Sequence, residues 1–70
     1  MPKHIVTRAQ VRPGDILLDY KGDFLTRVVE VHDARARGYV VWYCEGEDGR
    51  RMQDAGGNKT GTVSIEREDR

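Results

Sequence analysis

The stretch Tyr39–Cys44 is apolar on both sides of the strand that it predicts, and it holds three of the chain's five aromatic residues. Successive side chains of a strand point to opposite faces. One face of this strand therefore carries Tyr39, Val41 and Tyr43, and the other carries Val40, Trp42 and Cys44. A chain of 70 residues covers one such face easily, but hardly both. We expect the second set to face the core and the first set to form a candidate contact surface.

The chain's size limits how it is stabilised. A single domain over residues 1–70 buries only about 60% of its unfolded surface, so a disulfide, a metal or oligomerisation usually adds stability. Cys44 is the only cysteine, which excludes an internal disulfide. Cys44, His4 and His32 are far apart in the sequence and lack the paired spacing that zinc ligands show. We therefore expect no metal and no cofactor. Oligomerisation remains, and a homodimer suits the two-sided strand.

Charge and hydropathy bear on the partners. The chain has 12 basic and 12 acidic residues and a net charge of zero. Nucleic-acid binders usually carry a basic excess, because phosphate contacts supply much of the affinity. No apolar run has the length of a transmembrane helix or of a signal-peptide core. We therefore expect a cytoplasmic protein that does not contact membranes.

Turn signals divide the chain into short strands. Pro13-Gly14 predicts a type II turn, because proline fixes φ and glycine takes the positive φ that follows. Arg27 interrupts the apolar face of the second strand, which predicts a bulge or bend nearby. The predicted strands are residues 16–20, 24–32, 39–45, a short 50–53 with Met52 inward, and 62–67. The remaining segments are an N-terminal arm at 1–10 in which Thr7 caps one short turn, a flexible Gly-rich loop at 54–61, and a frayed tail at 68–70.

Four to five short antiparallel strands with almost no helix predict an all-β fold, a small barrel that is closed or partly open. Closure also removes exposed strand edges, which are a hazard in so short a chain. The expected core consists of Val29, Val31, Trp42, Val63 and Ile65.

The N-terminal third resembles the opening of small SH3-like barrel proteins. The shared elements are Val-x-Pro-Gly-Asp at 11–15, the apolar strand at 16–18 and the Val-Val-x-Val pattern at 28–31. Short arginine-rich proteins of this shape look like gene products of bacteriophages and their GC-rich hosts, which would place the chain in the host cytoplasm. The resemblance covers residues 5–32. It implies a fold and assigns no functional residues.

Catalytic patterns are missing from the sequence. The segment Gly56–Gly61 lacks the glycine before Lys59-Thr60 that a phosphate-binding loop needs, and a strand follows it instead of a helix. Cys44 lies inside an apolar strand, where cysteine usually behaves as a small buried hydrophobe. No histidine pairs with a nucleophile and a third, orienting group. We therefore expect no enzyme.

Protein contact is the first functional hypothesis. Exposed tyrosine and arginine are enriched at the energetic centres of interfaces. The predicted contact residues are Tyr20, Arg37, Tyr39, Val41 and Tyr43. The partner is a second copy in a twofold dimer or another protein. In the competing interpretation, Phe24 and the N-terminal arm cover this face, and its apolar side chains are a packing detail.

Nucleic-acid binding is the second hypothesis. Small barrels bind single strands by stacking bases on aromatic rings beside cations that follow the backbone. The tyrosines would stack, and the charge would come from Arg27, Arg35, Arg37, Arg50 and Arg51. Acidic residues such as Glu45 and Asp48 are interleaved with these cations, so a solvated face of mixed charge explains the same pattern.

Overall fold

The computed structural model describes residues 2–34 and 37–67, with residues 33 and 34 described by backbone alone. Arg35 and the predicted tail at 68–70 therefore lie outside the described residues. Six strands and one 3₁₀ turn make up this part of the chain, which confirms the all-β prediction. The strands are β1 (Lys3–Thr7), β2 (Ile16–Leu18), β3 (Phe24–Ala34), β4 (Tyr39–Glu45), β5 (Arg51–Asn58) and β6 (Thr62–Glu66).

The strands form one antiparallel sheet in the order β1-β6-β2-β3-β4-β5. Within the described residues the sheet is open, and β1 and β5 are its edges. The predicted N-terminal arm is thus an edge strand, which pairs with β6 from Lys3↔Glu66 to Thr7↔Thr62. The predicted short turn after it is confirmed as the 3₁₀ turn Arg8–Gln10, with Thr7 at its N-cap. The Oε1 atom of Gln10 accepts a hydrogen bond from the Thr7 N–H at 3.0 Å.

The predicted Pro-Gly turn starts the first hairpin. Gly14 has a φ of 94°, and the Asp15 N–H donates to the Arg12 carbonyl at 3.1 Å. Only glycine adopts such a φ without strain. The turn directs the chain into β2, whose Ile16 and Leu17 pair with both β3 and β6.

A bulge in β3 changes which residues face the core. The register between β3 and β4 shifts between Val28 and Glu30, two residues beyond the predicted position near Arg27. Val28 is fully buried and Val31 packs against the core, whereas Val29 between them is 50% exposed. The prediction of Val29 as a core residue was wrong, because the bulge inserts it as an extra residue and turns its side chain outward.

Among the described residues, seven buried side chains form the core, and further apolar side chains pack against them. The buried set is Val11, Leu17, Val28, Val40, Trp42, Cys44 and Ile65. Trp42 and Ile65 are thus buried as predicted, and Val31 and Val63 pack partly buried around them. Met52, predicted to point inward, is 41% exposed because β5 is an edge strand with no neighbour beyond it.

The strand β5 runs through five of the eight residues of the segment predicted as a Gly-rich loop at 54–61. A Cβ atom at Gly56 would collide with the Val40 carbonyl oxygen and come within 3.0 Å of the Val41 Cα. A Cβ at Gly57 or Gly61 would meet the Arg8 guanidinium instead. Gly56 and Gly57 therefore permit close packing within β5, which explains glycine in a strand. Gly61 does the same between β5 and β6.

A buried ion pair closes the end of the sheet where the Pro-Gly turn meets the end of β6. The Arg67 guanidinium donates two hydrogen bonds to the Asp15 carboxylate, from Nε at 2.9 Å and from Nη2 at 2.6 Å. The Arg12 N–H adds a third at 2.9 Å. Burial alone would raise the pKa of Asp15, but these hydrogen bonds and the charges of both arginines lower it below its ordinary value of 3.8.

The 3₁₀ turn brings the two edges of the sheet together at one point. Arg8 directly follows β1, and its Nη1 donates to the carbonyl of Asn58, the last residue of β5, at 3.1 Å. The Arg8 N–H donates to the Gly61 carbonyl at 2.8 Å, and the Ala9 N–H donates to the Lys59 carbonyl at 3.3 Å. The sheet therefore curls, although no ladder joins β1 to β5 in the part of the chain that is described.

Candidate protein interface

The two faces of β4 differ in burial as the alternation predicts. Its residues alternate between half-buried and buried along the whole strand. The inner residues Val40, Trp42 and Cys44 are each 2% exposed. The outer residues Tyr39, Val41 and Tyr43 are half-buried, so their face is neither fully open nor covered.

The bulge residue Val29 extends this outer face onto β3. Val29 and Tyr43 line the same depression of about 240 Å³. We call the set formed by Val29, Tyr39, Val41 and Tyr43 the outer strip. The sequence analysis missed Val29, although the predicted bulge was a signal that one apolar residue of β3 would face outward.

Two neighbouring side chains hold the Tyr43 ring. The His32 ring lies 4.2 Å from it, centroid to centroid, at an interplanar angle of 39°. The Arg51 guanidinium lies 5.0 Å from the ring centroid, within cation–π distance. His32 also lies 3.6 Å from Glu30. These two contacts restrict the ring, so Tyr43 loses little side-chain entropy on binding.

Val41 is reachable because its neighbour on β5 has no side chain. Its cross-strand partners are His32 on β3 and Gly56 on β5. Tyr39, Val41 and Gly56 line a shallow depression of about 510 Å³. A partner side chain can therefore reach Val41 from the β5 side. The N-terminal arm, proposed as a cover for this face, pairs with β6 at the other edge of the sheet.

The other predicted contact residues lie apart from the outer strip or beside it. Tyr20 is 93% exposed in the turn after β2, with Lys21 Nζ 5.7 Å from its ring centroid. It lines a depression with Ile5 that includes no residue of the outer strip. Arg37 is exposed two residues before Tyr39. The structure therefore separates Tyr20 from the outer strip, whereas Arg37 adjoins the strip along the chain.

Acidic residues compensate three of the arginines predicted to contact nucleic acid. Arg27 pairs with Glu45 at 3.1 Å, Arg50 with Asp48 at 3.5 Å and Arg51 with Asp54 at 3.2 Å. Each pair places a negative charge where a phosphate would bind. Arg51 also covers the Tyr43 ring on which a base would stack. Both features lower the affinity that this surface would have for a nucleic acid.

The groups with catalytic potential are dispersed. Cys44 is buried, and its Sγ lies 3.6 Å from the Trp42 carbonyl oxygen. Within residues 2–34 and 37–67, no group of three His, Cys, Asp or Glu side chains gathers as a metal site. No helix in the same residues has the length and apolar character needed to cross a membrane.

No family model matches this chain, and neither the curated proteins nor the solved structures include a match to it.

Proposed function

We propose that this chain is a non-catalytic binding module that contacts another protein, or a second copy of itself, through the outer strip. The observation that carries the proposal is Val29, a half-exposed apolar residue that the bulge places beside Tyr43. It enlarges an apolar surface that already includes Val41 and two tyrosines. A contiguous apolar patch on a small protein typically marks a contact site.

We further propose that the sheet is a partly open form of the small SH3-like barrel. Its support is the 3₁₀ turn, which links the end of β1 to the end of β5 through Arg8 and Asn58. The Pro-Gly turn and the β2–β3 hairpin lie where the resemblance places them. A barrel of this kind displays the outer face of β3 and β4 to solvent, as a binding surface requires.

Self-association is the first version of this proposal to test. In a twofold dimer, the outer strip would contact its own copy, so that one substitution alters both sides of the interface. Sedimentation velocity should report a dimer for the wild type at high concentration and a monomer for Val41→Lys, since a lysine there introduces paired like charges. Thr62→Lys is the matched control, because Thr62 is exposed on β6, and it should remain dimeric.

A monomeric wild type at high concentration would rule out the homodimer and leave another protein as the partner. Affinity capture from the native cell should then retain a protein on wild-type and Thr62→Lys baits and lose it on Val41→Lys. Equal capture by all three baits would contradict binding at the outer strip. Thermal unfolding of each variant, followed by Trp42 fluorescence, verifies that the fold is intact.

Nucleic-acid binding remains the alternative proposal, with the exposed Arg37 and the half-buried Tyr39 as neighbouring candidate contacts. Zero net charge and the paired arginines make it the weaker one. A mobility-shift assay at about 50 mM salt tests it, because electrostatic binding to nucleic acids is strongest at low salt. Failure to shift either single-stranded or duplex DNA or RNA would eliminate it.

A further inference from the structure

A second surface lies on the inner side of the sheet, where β5 has no neighbour. It is a cleft of about 370 Å³ between β5 and the strands β2, β3 and β6. Its lining is mostly apolar, and at its rim Leu25 is 53% exposed and Met52 is 41% exposed. We call it the β5 cleft and define it by Leu17, Leu25, Trp42, Met52 and Val63.

The edge of β5, and not only one of its faces, borders the β5 cleft. Five consecutive residues, Met52 to Gly56, line it. The register of β5 against β4 shifts between Met52 and Ala55, which breaks the alternation of side chains and lets neighbouring residues border the cleft. The backbone of this edge carries N–H and C=O groups that no strand of the described residues pairs. Such an edge beside an apolar cleft is the arrangement that accepts an added strand from a partner.

The 3₁₀ turn closes the cleft at the Gly57 end. The Arg8 and Ala9 N–H groups donate to the carbonyls of Gly61 and Lys59, and the Arg8 side chain donates to the Asn58 carbonyl. These bonds occupy the place where an added strand would continue along β5. A segment that enters the cleft must therefore end or turn away there, which favours a chain terminus.

The positive charge of Arg8 at this closed end determines whether the C-terminus or the N-terminus of a segment binds there. Arg8 lines the cleft, and none of the carboxylates in the described residues forms an ion pair with it. Asp54 also lines the cleft, but its carboxylate accepts a hydrogen bond from Arg51 at 3.2 Å. An arginine beside an apolar surface binds a carboxylate strongly and repels an ammonium group.

The wall of the cleft also contains a polar group without a partner. The indole Nε1 of Trp42 is buried and has no hydrogen-bond acceptor among the described residues. Such groups are rare in folded proteins and call for an explanation. A carbonyl oxygen of a bound ligand would supply the missing acceptor at this wall of the cleft.

We propose that the β5 cleft binds the C-terminal end of a partner polypeptide. The segment adds as a short strand to Met52–Gly56 and runs parallel to β5, because its end lies at the Gly57 side. Its last side chain is apolar and enters the cleft, and its carboxylate pairs with Arg8. The inference shares with the proposed function only that the partner is a protein. It uses the opposite side of the sheet, so either proposal can fail alone.

A display library of random heptapeptides with free C-termini tests the proposal. Selection on the wild-type protein should enrich peptides with an apolar last residue. The enriched peptide, made synthetically, should change the fluorescence of Trp42, the only tryptophan. Its C-terminal amide should bind about tenfold more weakly or worse, because it lacks the charge that Arg8 recognises. Failure to enrich any such peptide, or equal binding of the amide, would overturn the proposal.

Variants separate the cleft from the rest of the surface. Arg8→Gln should weaken the enriched peptide about tenfold, whereas Arg50→Gln, which removes the same charge at an exposed position, should not. Because Arg8 also supports the fold, Met52→Glu provides an independent test, placing a negative charge at the rim without touching Arg8. Unchanged affinity in both Arg8→Gln and Met52→Glu would contradict the proposed site.

Two further arms identify the occupant. Decanoate is the probe for a small apolar acid. If decanoate binds and no peptide is enriched, the ligand is a small acid and not a peptide, which would overturn the proposal. Val29→Lys alters the outer strip at a depression that shares no lining residue with the β5 cleft, so it should bind the enriched peptide like the wild type. Loss of peptide binding in Val29→Lys would place the peptide on the outer strip and refute the cleft.

Discussion

The two ends of the curled sheet are closed by different chemistry. At one end, the buried Asp15 carboxylate accepts two hydrogen bonds from Arg67 and one from the Arg12 backbone, so its charge is compensated. At the other end, Arg8 lies against Gly57 and Gly61 and donates to a backbone carbonyl. The first end is sealed by an ion pair, whereas the second leaves a cation beside an open cleft.

This difference indicates where stability resides and where we propose that a partner binds. A compensated buried pair stabilises only its own geometry, and breaking it leaves a charge without that counter-ion. An arginine that forms no ion pair and lies next to apolar side chains can still bind an anionic group of a ligand. The Asp15 end therefore stabilises the fold, and the β5 end is where we propose that a partner binds.

The largest expected effect comes from breaking the sealed end. Asp15→Ala should destabilise the protein by about 3 kcal/mol, because it leaves the Arg67 guanidinium without its carboxylate in a largely buried site. Urea denaturation followed by Trp42 fluorescence measures the free energy of unfolding. In so small a domain, this change removes much of the total stability.

Asp54→Ala is the control for this prediction, because it removes a carboxylate from the exposed Arg51 pair near the open end. It should change the free energy of unfolding by less than about 1 kcal/mol. Asp15→Leu combined with Arg67→Met should recover part of the loss from Asp15→Ala, since an apolar pair leaves no isolated charge. Equal effects of Asp15→Ala and Asp54→Ala would show that the two ends do not differ in this way.

A smaller effect is expected from the glycines of β5. Gly56→Ala should cost about 2 kcal/mol, because the new Cβ meets the β4 backbone, which cannot move without breaking the strand pair. Gly57→Ala should cost less, since its Cβ meets only the Arg8 guanidinium at the end of a flexible side chain. The same urea titrations compare them. A larger loss for Gly57→Ala would mean that the Arg8 contact, and not strand packing, holds the open end.

Local patterns predicted the interior of the sheet well and its edges poorly. The alternation in Tyr39–Cys44 predicted the buried side chains of β4, and Pro13-Gly14 predicted the first turn. Burial at these positions depends on period and turn geometry, which a sequence displays. The edge strand β5 depends on Gly56 approaching the β4 backbone, a contact between distant segments. Its glycines were therefore interpreted as a flexible loop.

The candidate sites show the same limit. Tyr39, Val41 and Tyr43 were predicted as one face, but the position of Val29 beside Tyr43 depends on which residue of β3 forms the bulge. That choice is made by pairing with β4 and leaves no clear mark in the sequence. The β5 cleft was missed because it joins residues from both ends of the chain, including Arg8 and Met52.

The smallest expected effect is a dependence of stability on pH that arises at the sealed end. The pKa of Asp15 is lowered in the folded protein relative to its ordinary value of 3.8, so its ionised form stabilises the fold. That contribution is complete above the unfolded value and is lost as the pH falls through the folded value. The effect is smaller than that of Asp15→Ala, because a protonated carboxyl still accepts hydrogen bonds.

Comparison with Asp15→Asn isolates the contribution of Asp15 to the pH dependence of stability, since the other carboxylates titrate in both proteins. The stability advantage of the wild type over Asp15→Asn should be constant above about pH 5 and shrink below the ordinary pKa. An advantage that grew on acidification would mean that burial, which raises the pKa of Asp15, outweighs Arg67.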